Sequence, residues 1–92
     1  INNQYIKYEP EIIVEVVSET TQVTDYVDKY IDYTKIPSLI YYIIAEPETT
    51  LITVYEKDET GNWIARKFTN YNDVVKLEKM QIEFQIRNIY LG

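Results

Sequence analysis

A mixed α/β (α+β) fold, one βαβ unit followed by an antiparallel hairpin and two short strands, is what the sequence predicts. Three observations carry it. PEIIVEVVS (10–18) is rich in β-branched residues, the stretch after it repeats apolar side chains at helical spacing, and LIYYIIA (39–45) is a continuous apolar run beside a proline. Strand, amphipathic helix and covered strand in that order make a βαβ unit, so the two strands are expected to be parallel with a right-handed crossover.

The first strand has a side-chain period of two, which puts Ile12, Val14 and Val16 on one face and Glu11, Ile13, Glu15 and Val17 on the other. One face is wholly apolar and the other mixed. SETTQVTD then offers helix N-caps, Thr21 and Thr24 among them. Val23, Tyr26, Val27, Tyr30, Ile31 and Thr34 form the inward stripe of the helix, with Asp25, Asp28 and Asp32 opposite. Pro37 ends it, because the residue before a proline disfavours the helical region. The run 39–45 has no polar alternation, as expected of a strand covered on both faces. LITVYEK (51–57) and WIARKFT (63–69) flank a turn containing Gly61, a hairpin pattern, and VVKLE (74–78) and IEFQI (82–86) are two shorter strands.

Composition bounds the chemistry. The 92 residues make at most one small domain with a thin core. The chain opens at Ile1 with no Met, signal peptide or targeting segment, and is expected to be the C-terminal portion of a longer protein. It contains no Cys and no His, so disulfides, thiolate metal sites and imidazole proton shuttles are excluded. Any site must use carboxylates, Lys, Tyr or backbone. No apolar run is long enough to span a membrane, and a cytoplasmic setting is expected. Nine Lys plus Arg against fifteen Asp plus Glu give a net charge of −6, the wrong sign for passive attraction to a phosphate backbone. A nucleic-acid role therefore requires metal ions or a local basic patch. The ten tyrosines fit half-buried strand and helix positions whose hydroxyls reach water, or else an aromatic recognition surface.

Glu15 is the anomaly. Flanked by Val14 and Val16 in a strand expected to be central, an unpaired carboxylate there would cost several kcal/mol, so it needs a cation, a donor or a raised pKa. Asp25, Lys29 and Tyr33 fall on one i, i+4, i+8 line at the margin of the helix stripe, from which a side chain can reach back over the preceding strand. The plain alternative is an Asp-to-Lys helix pair worth a few tenths of a kcal/mol, with Tyr33 as a packing residue. Spacing alone does not separate the two.

The run EPEIIVEVVSETTQVTDYVDKYIDYTKIPSLIYYIIAEP (9–47) resembles the Uma family of putative restriction endonucleases, a branch of the PD-(D/E)xK nuclease superfamily. That family reads as a strand with PD and then ExxS, a helix with D, K and Y four apart, a Gly-Val-Pro-like turn, an aromatic-rich strand and an Asp-Pro. The resemblance implies a restriction-endonuclease-like mixed sheet and a Mg²⁺- or Mn²⁺-dependent DNA endonuclease site. In it Glu15 binds metal, Lys29 assists the attacking water or the developing phosphate charge, and Asp25 and Tyr33 support them. The usual superfamily Lys, two residues after the Glu, is here Val17; its role is taken by Lys29.

The family's PD is Pro10-Glu11 here, which keeps a carboxylate and makes Glu11 a second metal-ligand candidate. Residues four apart on a strand lie about 13 Å from each other, so Glu11 and Glu15 share one ion only if the strand bends sharply. The superfamily pattern instead supplies an Asp from an earlier strand, which implies that the N-terminal part of the fold is missing and that this chain alone is inactive. Two other classes stay open: a non-catalytic interaction or assembly module, with exposed edge strands that also permit homo-oligomers, and a carboxylate enzyme of the glycosidase kind. Lys57, Arg66 and Lys67 on the hairpin read as solvated positions or as phosphate contacts.

Overall fold

A computed structural model of the chain describes residues 9–17, 23–46 and 48–90, with the backbone alone for residues 23–26 and 90. In chain order the elements are β1 (Ile12–Val16), α1 (Val23–Thr34), β2 (Tyr41–Glu46), β3 (Leu51–Lys57), β4 (Trp63–Phe68), β5 (Val74–Leu77), a 3-10 turn (Glu78–Met80), β6 (Ile82–Gln85) and α2 (Ile86–Tyr90). The first four strands form one sheet in the order β1-β2-β3-β4, and β5 and β6 form a separate two-stranded sheet. β1 and β2 are parallel, from Ile12 opposite Tyr41 to Val16 opposite Ala45, as the βαβ reading requires. The β2–β3 and β3–β4 pairs are antiparallel.

Every residue from Tyr41 to Ala45 is buried, because α1 lies over one face of β2 and the small sheet over the other. On the small-sheet side, Tyr41, Ile43, Ala45, Ile52 and Val54 pack with Val75, Leu77 and Ile86. On the helix side, Val17, Leu39, Tyr42 and Ile44 pack with Ile13, Tyr30, Tyr33, Ile36, Tyr55 and Trp63. α1 stops three residues before Pro37, where Lys35 N–H and Ile36 N–H donate to the carbonyls of Asp32 (3.3 Å) and Tyr33 (3.0 Å) and tighten the last turn.

The β3–β4 turn is held by Asp58, whose Oδ1 accepts from Thr60 Oγ1 (2.7 Å), Thr60 N–H (2.9 Å) and Asn62 N–H (2.8 Å). The Thr60 hydroxyl, followed by the Asn62 N–H, lowers the Asp58 pKa below its ordinary value. Gly61 has φ +89°, a backbone conformation that side-chain-bearing residues rarely adopt.

The structure corrects three expectations. Among the described residues β1 is an edge strand and not a central one. Its wholly apolar face is not covered: Val14 and Val16 are 58% and 67% exposed, because the small sheet packs beneath β2 and β3. The tyrosines divide: Tyr41 and Tyr42 are fully buried, as expected of a strand covered on both faces, and Tyr30, Tyr33 and Tyr55 are half-buried. Tyr41 still satisfies its hydroxyl by accepting from Lys79 N–H at 3.0 Å. The helix stripe is rotated as well: Tyr30 and Tyr33 face the sheet, while Val27 and Ile31 are 50% and 44% exposed.

Candidate functional site

Glu15 sits in β1 opposite Ile44 of β2, on the face that carries α1. An extended strand sends alternate side chains to opposite faces, so the neighbours Val14 and Val16 point away while Glu15 points under the helix. Residues four apart on α1 lie on one side of it, and two of them meet the carboxylate. Lys29 Nζ is 3.4 Å from Glu15 Oε2, and Tyr33 Oη donates to Glu15 Oε1 at 3.1 Å. One oxygen faces a cation and the other a hydroxyl. The Glu15 side chain is 22% exposed and that of Lys29 36%, so the pair lies at a wet margin where a solvent molecule or a substrate oxygen can enter.

Tyr33 is fixed from behind. Its ring meets that of Tyr42 at 5.2 Å in an edge-to-face arrangement, and Tyr42 stacks on Tyr55 at 5.9 Å. The hydroxyl therefore presents itself to Glu15 from a ring with little freedom to turn. The Tyr30 and Tyr55 rings pack edge to face at 4.9 Å and continue the same cluster between helix and sheet. Burial, then the nearby Tyr30, raises the Tyr55 pKa above its ordinary value.

The remaining candidates are placed differently. Glu11 is exposed at a bend just before β1, and its carbonyl accepts from the N–H groups of Ile40 (2.9 Å) and Tyr41 (3.1 Å). It holds the start of the parallel pair, four residues from Glu15 on an extended run. The side chain of Asp25, with Ser18 and Thr21, lies outside the described residues. On the hairpin, Arg66 donates to Glu56 Oε1 (3.1 Å), and Lys57 donates to the Pro37 carbonyl (3.0 Å) with its Nζ 5.5 Å from the Trp63 ring centre.

A hard divalent cation takes oxygen ligands and keeps several waters, using one or two carboxylates together with substrate phosphate oxygens. Glu15 fits as one such ligand. Its two named partners occupy only part of its acceptor capacity, and its side chain is partly exposed. Among the described residues there is no group of three or more Asp, Glu, His or Cys that could hold an ion by themselves. Further ligands would have to come from water, substrate or other polypeptide.

Sequence reading missed a second feature on this face. A cleft of about 390 Å³ opens on the far side of α1 from Glu15, lined by Val27, Tyr30, Ile44, Glu46, Leu51, Thr53, Tyr55 and Lys67. These residues come from four elements, and only the strand register brings them together. No local spacing could have announced it.

Residues 2–88 match the family model Uma2, described as "Putative restriction endonuclease". An uncharacterized protein of Synechocystis sp. (strain ATCC 27184 / PCC 6803 / Kazusa) is 29% identical over 91 residues, covering 99% of this chain and 47% of the relative. Among solved structures, a putative nuclease belonging to DUF820 from Anabaena variabilis ATCC 29413 superposes with a TM-score of 0.70 at 13% identity, over 89% of this chain and 44% of that one. The fold is thus restriction-endonuclease-like, and the chain spans about half the length of the relatives it matches.

Proposed function

Because the chain belongs to the Uma2 family of putative restriction endonucleases, we propose that it forms part of a metal-dependent DNA endonuclease with Glu15, Lys29 and Tyr33 at its centre. The observation that carries this reading is the convergence of the Lys29 ammonium (3.4 Å) and the Tyr33 hydroxyl (3.1 Å) on the two oxygens of one carboxylate at a wet margin.

In this reading Glu15 is a ligand of Mg²⁺ or Mn²⁺. A bound ion of this kind lowers the pKa of a coordinated water and offsets charge on the phosphoryl oxygens. Tyr33 holds the carboxylate in one orientation through its hydrogen bond, and the ring packing behind it maintains the geometry. Lys29 keeps a positive charge beside the carboxylate, where it can orient the attacking water or stabilise negative charge as it grows on the phosphate. Asp25, one turn before Lys29 in the sequence, takes the supporting role that the family resemblance gives it. Glu11 serves the same ion only through a sharp bend, so the second carboxylate comes from polypeptide beyond these residues. The isolated chain is accordingly inactive, and the complete protein acts on DNA in the cytoplasm.

Cleavage of plasmid DNA by a full-length version with Mg²⁺ tests this. Glu15→Ala should abolish it, whereas undiminished cleavage removes Glu15 from the mechanism. A second reading, a non-catalytic assembly module, is favoured by β1, which among the described residues is an edge strand whose exposed Val14 and Val16 suit self-association or pairing with another chain. A module of that kind would keep its association and show no metal-dependent cleavage.

A further inference from the structure

The strand register links the Glu15 margin to the cleft on the other side of α1. Glu15 is opposite Ile44, Ile44 opposite Thr53, and Thr53 opposite Lys67. Paired residues on neighbouring strands share a face, so these four form one row across the sheet. Three strand spacings separate its ends by about 14 Å. A duplex strand presents a phosphate about every 3.4 Å along its axis, so the straight distance from Glu15 to Lys67 is that of a few nucleotides, and a strand joining them passes around α1, which covers Ile44 between them.

The cleft between has the chemistry of a nucleotide site. Tyr30 and Tyr55 offer aromatic surface, Thr53 lies in the floor at 5% exposure, and exposed Lys67 stands at the rim. Base-on-aromatic stacking beside a cation is the general means of holding single-stranded nucleic acid. Glu46, which also lines the cleft, is an acceptor-only group: it repels a second phosphate and can accept from the exocyclic amino group of a base.

We propose that this cleft binds one nucleotide of the substrate strand, its phosphate on Lys67, its base against Tyr30 and Tyr55, and an exocyclic amino group on Glu46. The assignment rests on the nuclease reading for the identity of the strand. It adds a preference for amino-bearing bases over thymine.

The test is a titration of the protein with single-stranded oligonucleotides of cytosine alone or thymine alone, followed by the fluorescence of Trp63, which packs on the same face. Cytosine should bind about tenfold more tightly than thymine. Lys67→Ala, at an exposed position that leaves the core intact, should weaken both and lower the slope of log affinity against log salt by about 0.7. Glu46→Leu should bring the two affinities together. Equal affinities in the unaltered protein, or an unchanged salt slope in Lys67→Ala, overturn the proposal. Cleavage that depends on Glu15 alongside an unchanged Lys67→Ala slope sinks this site alone. A Lys67-dependent slope with cleavage that survives Glu15→Ala sinks the nuclease reading instead.

Discussion

On one face of the four-stranded sheet, Ile43, Ala45, Ile52 and Val54 close over Val75, Leu77 and Ile86 with almost no exposed surface. On the other, Tyr42 and Ile44 lie beneath the half-buried rings of Tyr30 and Tyr33, with Tyr55 beside Tyr42 on the neighbouring strand. The first face is aliphatic and closed, and burial of apolar area stabilises it. The second is aromatic and partly open, and its hydroxyls, carboxylate and ammonium reach one another at a margin that water can enter. A domain this small has a limited core, and here the dry contacts are concentrated on the face away from the site.

That division orders the expected effects of substitution. Ile52→Ala on the closed face removes a side chain with 0% exposure and should cost about 2–5 kcal/mol, read from urea denaturation. A loss below about 1 kcal/mol would show that this face is not the stabilising one. Tyr33→Phe on the open face removes one hydrogen bond to a partly exposed carboxylate and should cost about 1 kcal/mol. Lys29→Ala removes a solvent-screened ion pair and should cost less than about 1 kcal/mol. In the full-length protein, both are expected to reduce cleavage far more than stability. Equal losses in the two measurements would make the open face mere scaffold.

Alkali affects both faces together. Burial raises the pKa of Tyr41 on the closed face and of Tyr55 on the open face above the ordinary value of 10.0. Below pH 10 both are protonated in the folded and unfolded states, and no stability changes with pH on their account. Above it the unfolded chain releases protons that the folded chain retains, so stability falls as pH rises through the folded values. Tyr55→Phe should reduce the steepness of that fall in a denaturation series from pH 9 to 11. An unchanged slope would place the alkaline sensitivity elsewhere.

Much of this architecture was legible because it rests on local signals. The β-branched run of β1, the helix stripe before Pro37, the unbroken apolar run of β2 and the Gly61 turn each specify their element through backbone and burial preferences. Helical spacing put Lys29 and Tyr33 on one line and the βαβ connection lays the helix over the strand, but spacing left open whether Lys29 turns to Glu15 or only to Asp25; the contact distances come from the fold. What was not legible depended on layers distant in sequence. Whether β1 is central or an edge is decided by which strands lie beside it, and its apolar pattern reads the same either way. The exposure of Val14 and Val16 follows from where the small sheet packs. The burial of Tyr42 was legible from the unbroken apolar run around it, whereas the general expectation of half-buried tyrosines holds for Tyr30, Tyr33 and Tyr55.

In the proposed function, Glu15, held by Lys29 and Tyr33, is a ligand of a divalent-metal site. Calorimetric titration of the full-length protein with Mn²⁺ addresses it without depending on turnover. A saturable binding event is expected, which Glu15→Gln removes while the fold, followed by circular dichroism, is retained. Identical binding by Glu15→Gln, or no binding by the unaltered protein, would contradict it.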